Sequence, residues 1–228
     1  MQGQIHLFGL VHLAIIATVP LLAAALAAVQ RRLQPGARSL RVGVALVLGL
    51  SSAAYYAYFA LHGQLTFPDR LPLELCDVSL WLVVVALLNL RPAIFDLAYY
   101  GGLAGASMSL LTPNVPESSP LFLTVQYFAD HGLIVAAVLY LVWSRQARPR
   151  PGSVGRAMLM LNLYAAFVGG FDFIFKTNYM FLRAKPETET LLTILGPWPW
   201  YILSAEGMAV VLFSLLYLPF RPARPTAL

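Results

Sequence analysis

The sequence predicts an all-α membrane protein, a bundle of about seven transmembrane helices with the N-terminus outside and the C-terminus in the cytoplasm. Three observations carry this. Of the 228 residues, 59% are hydrophobic and only 11% charged, whereas a soluble domain of this size carries roughly 25% charged residues. So few charges cannot make a water-facing surface, so most of the surface must meet lipid. Seven apolar stretches approach the ~20 residues that a membrane-crossing helix needs. Lastly, the Lys and Arg residues collect in alternate links between those stretches.

Taken in order, the predicted spans are 7–29, 39–61, 72–90, 92–111, 120–143, 157–175 and 197–218. The first is apolar and rich in alanine. No Lys or Arg precedes it, while Arg31 and Arg32 follow it; this is the reverse of a secretory signal, which opens with a positive segment. It therefore reads as a retained helix. Four of the seven stretches begin at a proline (Pro72, Pro92, Pro120 and Pro197), a residue tolerated at the first helical position. Only Arg91 separates the third stretch from the fourth, which predicts a tight hairpin. The links 30–38 and 144–156 are polar and broken by Pro and Gly. No internal repeat is visible, so an inverted-repeat transporter fold finds no support. The whole chain reads as one transmembrane domain.

The charge census fixes the direction. Eleven of the 15 Lys and Arg residues fall on one side: Arg31, Arg32, Arg38, Arg41, Arg91, Arg145, Arg148, Arg150, Arg156, Arg221 and Arg224. The other side holds Arg70, Lys176, Arg183 and Lys185. Positive charge gathers on the cytoplasmic side, so an odd number of spans running from outside to inside accounts for both termini. The formal charge of +5 is thus a matter of topology and does not point to nucleic acid. A single cysteine, Cys76, excludes an internal disulfide.

Ionisable side chains within spans are costly and raise a functional hypothesis. At ~1.5 Å per helical residue, His12, Glu74, Cys76, Asp77, Gln126, Asp130, His131, Asp172 and Glu206 all fall in the extracellular half. Asp96 and Asn162 belong to the inner half. This is the pattern of a cavity open to the outside or the outer leaflet. Bland readings exist for several of these groups. Glu74, Asp77 and Asp172 are close enough to the interface to snorkel, His12 suits a hydrogen-bonded packing role, and Asn162 suits an interhelical hydrogen bond. His131 and Glu206 lie too deep for that. No His-x-x-x-His or Glu-x-x-His pair lies along one helix face, so no metal site is expected.

A lone cysteine in a membrane helix is ordinarily an apolar filler. Cys76, however, falls on the first turn of its predicted helix, where the dipole favours a thiolate. A thiolate attacks an ester carbonyl, and an imidazole within reach helps to generate it. His131, at comparable depth on another helix, is the candidate base. Ionised Glu74 and Asp77 would oppose a second negative charge beside them; the alternative role for Asp77 is to orient the histidine. Asp130 cannot easily do so, because adjacent helical residues point about 100° apart. In the long outer link 176–200, Trp198, Trp200 and Tyr201 are interfacial anchors. Lys176, Asn178, Arg183 and Lys185 are candidate headgroup contacts, or else parts of an ordinary polar loop.

Several segments together carry a family resemblance. They are Leu71-Pro72-Leu73-Glu74-Leu75-Cys76, the run from Gln126 to Gly132 with its Ala-Asp-His-Gly, Asn178-Tyr179-Met180, Lys185-Pro186, and Leu195-Gly196-Pro197-Trp198-Pro199-Trp200-Tyr201. They resemble the YwaF-type bacterial integral membrane proteins, which are similar to the eukaryotic transmembrane protein 164 family. The resemblance runs roughly from the second helix to the seventh. It implies lipid acyl chemistry without a cofactor, because the eukaryotic relatives are regarded as cysteine-dependent phospholipid acyltransferases. The related androgen-induced membrane hydrolases use a threonine and a histidine inside a helical bundle to cleave fatty esters. On this chain the nucleophile falls on Cys76 and the base on His131; Glu74 stands where many relatives carry histidine.

The leading expectation is a lipid acyltransferase or lipid-ester hydrolase of a bacterial inner membrane, acting on a phospholipid or lysophospholipid through an acyl thioester. The alternatives are a small transporter or proton-coupled carrier using His131, Asp172 and Glu206, and a non-catalytic lipid-binding protein.

Overall fold

A computed structural model describes residues 7–33, 38–116, 118–186 and 190–221. Arg224, counted above on the cytoplasmic side, and the segment before Leu7 lie outside the described residues, as do 34–37 of the first polar link. All regular structure among the described residues is helical.

The long helices are α1 (Leu10–Arg32), α2 (Ser39–Leu61), α6 (Leu121–Trp143), α7 (Ser153–Phe175) and α9 (Trp200–Tyr217, prolonged by a 3-10 turn to Phe220). These five are long and apolar enough to cross a membrane. Between α2 and α6 stand α3 (Leu75–Asn89), apolar but only 15 residues long, and α4 (Pro92–Tyr100), which passes through a π-helical turn at Gly101–Gly105 into α5 (Ala106–Leu111). A short α8 (Leu191–Ile194) precedes α9. The chain is a multi-pass helical membrane protein.

Several predicted boundaries move, each for a local reason. Of the four prolines, only Pro92 occupies a first helical turn. Pro120 and Pro199 are N-cap residues, and Pro197 lies outside α9. Pro72 lies outside α3, because Glu74 is extended there and forms a capping box with Asp77. Such a box satisfies amide donors that a helix start leaves open. Helix α7 begins at Ser153, four residues before the predicted start. Its polar first turn is anchored, with Arg156 donating to Asp96 Oδ2 (3.1 Å) and to the Pro151 carbonyl (3.0 Å). Helix α1 likewise continues to Arg32, so its basic pair sits on the last turn, where the dipole favours cations.

Helix α6 is the centre of the molecule. Its residues Ile134, Val135, Ala136, Ala137, Val138 and Leu141 are buried, with α1, α2, α3 and α5 packed around it. Helices α7 and α9 pack on each other beside this group, and both turn large apolar side chains outward, among them Phe167, Phe173, Leu203 and Val211. At one end of the bundle, Arg41 of α2 donates to the Leu87 carbonyl (2.9 Å). Asp96 of α4 holds both Arg150 (2.8 Å) and Arg156 (3.1 Å). The starts of α2, α4 and α7 and the end of α3 therefore meet there, and these groups come from links that the charge census assigns to one side.

Candidate functional site

Between the α6-centred group and the α7–α9 pair lies a cavity of about 900 Å³, within the range of a pocket for an organic ligand. Its lining is mostly apolar. Among the sequence-predicted residues, Glu74, Cys76, Asp77, Gln126, Asp130, His131 and Glu206 all line it. Three helices (α3, α6 and α9) and the segment before α3 thus bring the candidate nucleophile and base to one space.

Cys76 sits one residue into α3, directly after the first helical residue, and is part-exposed. Both flanking carboxylates are held by donors. Asp77 accepts the Glu74 amide at 3.3 Å. Glu74 Oε2 accepts the Met180 amide at 2.9 Å. Glu74 is therefore not a charge snorkelling to water: it caps α3 and ties the helix start to the loop after α7.

His131 is buried. Its Nδ1 lies 2.7 Å from the Tyr127 carbonyl, one turn back. A carbonyl only accepts, so Nδ1 carries a proton, and in the neutral ring Nε2 is then the nitrogen with the lone pair a base needs. Tyr127 also flanks the imidazole, with ring centroids 4.3 Å apart, and its hydroxyl donates to the Ser109 carbonyl at 3.1 Å. The ring is thus oriented by Tyr127 and not by Asp77, a correction to the sequence reading. Asp130 is bound to Ser51 and Gln126. Glu206 accepts Asn162 Nδ2 at 2.8 Å, so Asn162 makes the interhelical bond expected of it.

The remaining predicted residues lie elsewhere. His12 is fully buried between α1 and α5, with Nε2 2.8 Å from the Leu110 carbonyl and Nδ1 accepting the Phe8 amide at 2.9 Å. It does not line the cavity and is a packing residue. Asp172 organises the turn after α7, accepting Thr177 Oγ1 at 2.6 Å and the Tyr179 amide at 3.0 Å. The candidate headgroup contacts serve the same loop. Asn178 Oδ1 accepts the amides of Arg183 and Ala184, each at 2.9 Å. Arg183 donates to the Thr177 carbonyl at 3.1 Å, and Lys185 to the Thr193 carbonyl at 2.8 Å. Lys176 lies 4.8 Å over the Phe173 ring. None of these four lines the cavity. The loop nevertheless matters, because Met180, Phe181 and Leu182 form part of the wall.

The cation that does line the cavity is Arg70. Its guanidinium lies 4.2 Å over the Phe59 ring. In the sequence Arg70 is visible only as the one basic residue after the second span. Tyr127 could have been found from helical spacing, four residues before His131. Among the described residues no three His, Cys, Asp or Glu side chains converge as a metal site.

The family model for the TMEM164 family matches residues 3–217. An uncharacterised protein of Treponema pallidum (strain Nichols) is 26% identical over 220 residues, covering 95% of this chain and 90% of that protein. No solved structure matches the chain.

Proposed function

The chain belongs to the TMEM164 family, and from that premise we propose that it is a membrane lipid acyltransferase or lipid-ester hydrolase working through Cys76 and His131. One observation carries the proposal: the chain's single cysteine and a buried histidine whose Nδ1 is held by a backbone carbonyl come from different helices to line the same cavity. In the reaction His131 Nε2 takes the thiol proton, and Cys76 Sγ attacks the acyl carbonyl of a phospholipid. The tetrahedral intermediate collapses to an acyl thioester while the lysolipid leaves with the proton. A second lysolipid, or water, then takes the acyl group in the reverse sequence. Arg70 at the cavity wall supplies the fixed positive charge that a headgroup phosphate requires.

The topology belongs to the same proposal. Seven passes are counted, with α3 and the kinked α4–α5 stretch as the third and fourth, N-terminus outside and C-terminus in the cytoplasm. This sets the cavity in the outer half of a bacterial inner membrane. A carrier relay through His131, Asp172 and Glu206 draws no support, since Asp172 is off the cavity and occupied by Thr177 and Tyr179. The test is labelling of membranes with a reactive acyl-ester probe. Cys76→Ala is expected to abolish the label, and equal labelling of the variant would sink the mechanism.

A further inference from the structure

Ser79 is a polar group that the reaction above leaves unused. It lies three residues after Cys76 on α3, so the two side chains share a face with Cβ atoms ~5–6 Å apart. Ser79 lines the cavity but is only 1% exposed. Its hydroxyl has no hydrogen-bond partner among the described residues. That is unusual for a helical serine, which ordinarily bonds the carbonyl four residues back; buried hydroxyls are almost always paired. The local backbone makes room for this hydroxyl. A Cβ on Gly101 would stand 2.6 Å from Ser79 Oγ, and Gly101 opens the π turn that runs to Gly105. Such turns recur at functional sites. Gly101 and Gly105 both line the cavity, and so does His131. A donor is therefore kept unpaired about one helical turn from the nucleophile, at a place built from small residues.

We infer that Ser79 is a catalytic hydrogen-bond donor, receiving the acyl carbonyl oxygen when Cys76 attacks. The inference rests on the Cys76–His131 reading. As the Sγ–carbon bond forms, the carbonyl π electrons move onto oxygen, and the Ser79 O–H donates to that oxyanion without giving up its proton. When the carbonyl re-forms, the ester C–O bond breaks and the lysolipid oxygen takes the proton held on His131 Nε2. An unpaired hydroxyl is the costly state before substrate binds and the useful one in the transition state, which is how binding energy is reserved for the reacting complex.

Three readouts on purified protein in phospholipid nanodiscs test this with Ser79→Ala. Acylation of Cys76 by an acyl-ester probe is expected to slow on the order of 100-fold, as for loss of one oxyanion donor. Alkylation of Cys76 by iodoacetamide, which develops no oxyanion, is expected to keep its rate. Thermal unfolding is expected at an equal or higher temperature, because an unpaired buried hydroxyl does not stabilise the fold. Unchanged acylation in the variant overturns the donor role alone. Slowing of acylation and alkylation together, with a lowered unfolding temperature, overturns it in favour of packing. Absence of Cys76-dependent acylation in the unsubstituted protein overturns both the inference and the reading beneath it.

Discussion

Glu74 joins the helix that carries Cys76 to the loop that walls the cavity, so its truncation has a local and measurable cost. Glu74→Ala removes the cap of α3 and leaves the Met180 amide without its acceptor. Loss of a capping side chain costs about 1 kcal/mol. The orphaned amide adds about 1 kcal/mol, the low end of the usual range because the site is only part-buried. About 2 kcal/mol of local stability corresponds to a roughly 30-fold rise in the population of an open cavity wall. The assay is the rate at which a water-soluble maleimide modifies Cys76 in nanodiscs, read by mass spectrometry. Glu74→Ala is expected to speed it by about that factor, and Glu74→Gln, which keeps an acceptor oxygen for Met180, by far less. An unchanged rate in Glu74→Ala would refute the reasoning that this carboxylate holds the loop to the helix.

Two further outcomes are expected. Asp96→Ala strands two guanidinium groups at the far end of the bundle; breaking a fully buried pair costs about 3–5 kcal/mol. Since Arg150 and Arg156 are 41% and 46% exposed and can be rehydrated, about 2 kcal/mol is expected instead, seen as lowered resistance to denaturant in mild detergent. Arg70→Gln is expected to raise KM for a phospholipid substrate about tenfold with kcat nearly unchanged, as for loss of a binding contact shared by ground and transition states. A fall in kcat alone would place Arg70 in the chemistry rather than in headgroup recognition.

Much of this architecture is legible in the sequence because apolar length and charge placement are one-dimensional properties. The five long helices and the polar links follow from apolar length, and helical rise puts Cys76, Asp130, His131 and Glu206 at one level; it puts His12 and Asp172 there too, and only the packing of the helices separates them from the cavity. Helix starts are less legible where they depend on contacts made in space. The Glu74–Asp77 capping box moves α3 off Pro72, and Asp96 recruits Arg156 into the first turn of α7. Partners of the polar groups are least legible of all. By position Arg183 and Asn178 read as headgroup contacts and Asp172 as an interfacial or relay carboxylate, yet they satisfy backbone groups of one loop. The tautomer of His131 depends on a carbonyl that every helix has, distinguished here only by the rotamer the ring adopts. Ser79 gives no sequence signal, since its interest lies in a missing partner and in the facing Gly101.

The central claim is that acyl chemistry passes through the Cys76 sulfur with His131 as base. It is tested most directly by incubating the protein with a phospholipid carrying an isotope-labelled acyl chain and measuring the mass of the Cys76 peptide. The account predicts a labelled acyl adduct on that peptide, released by neutral hydroxylamine as a thioester is and lost in His131→Ala. Turnover of the lipid by Cys76→Ala protein, or turnover with the label confined to another residue, would contradict it.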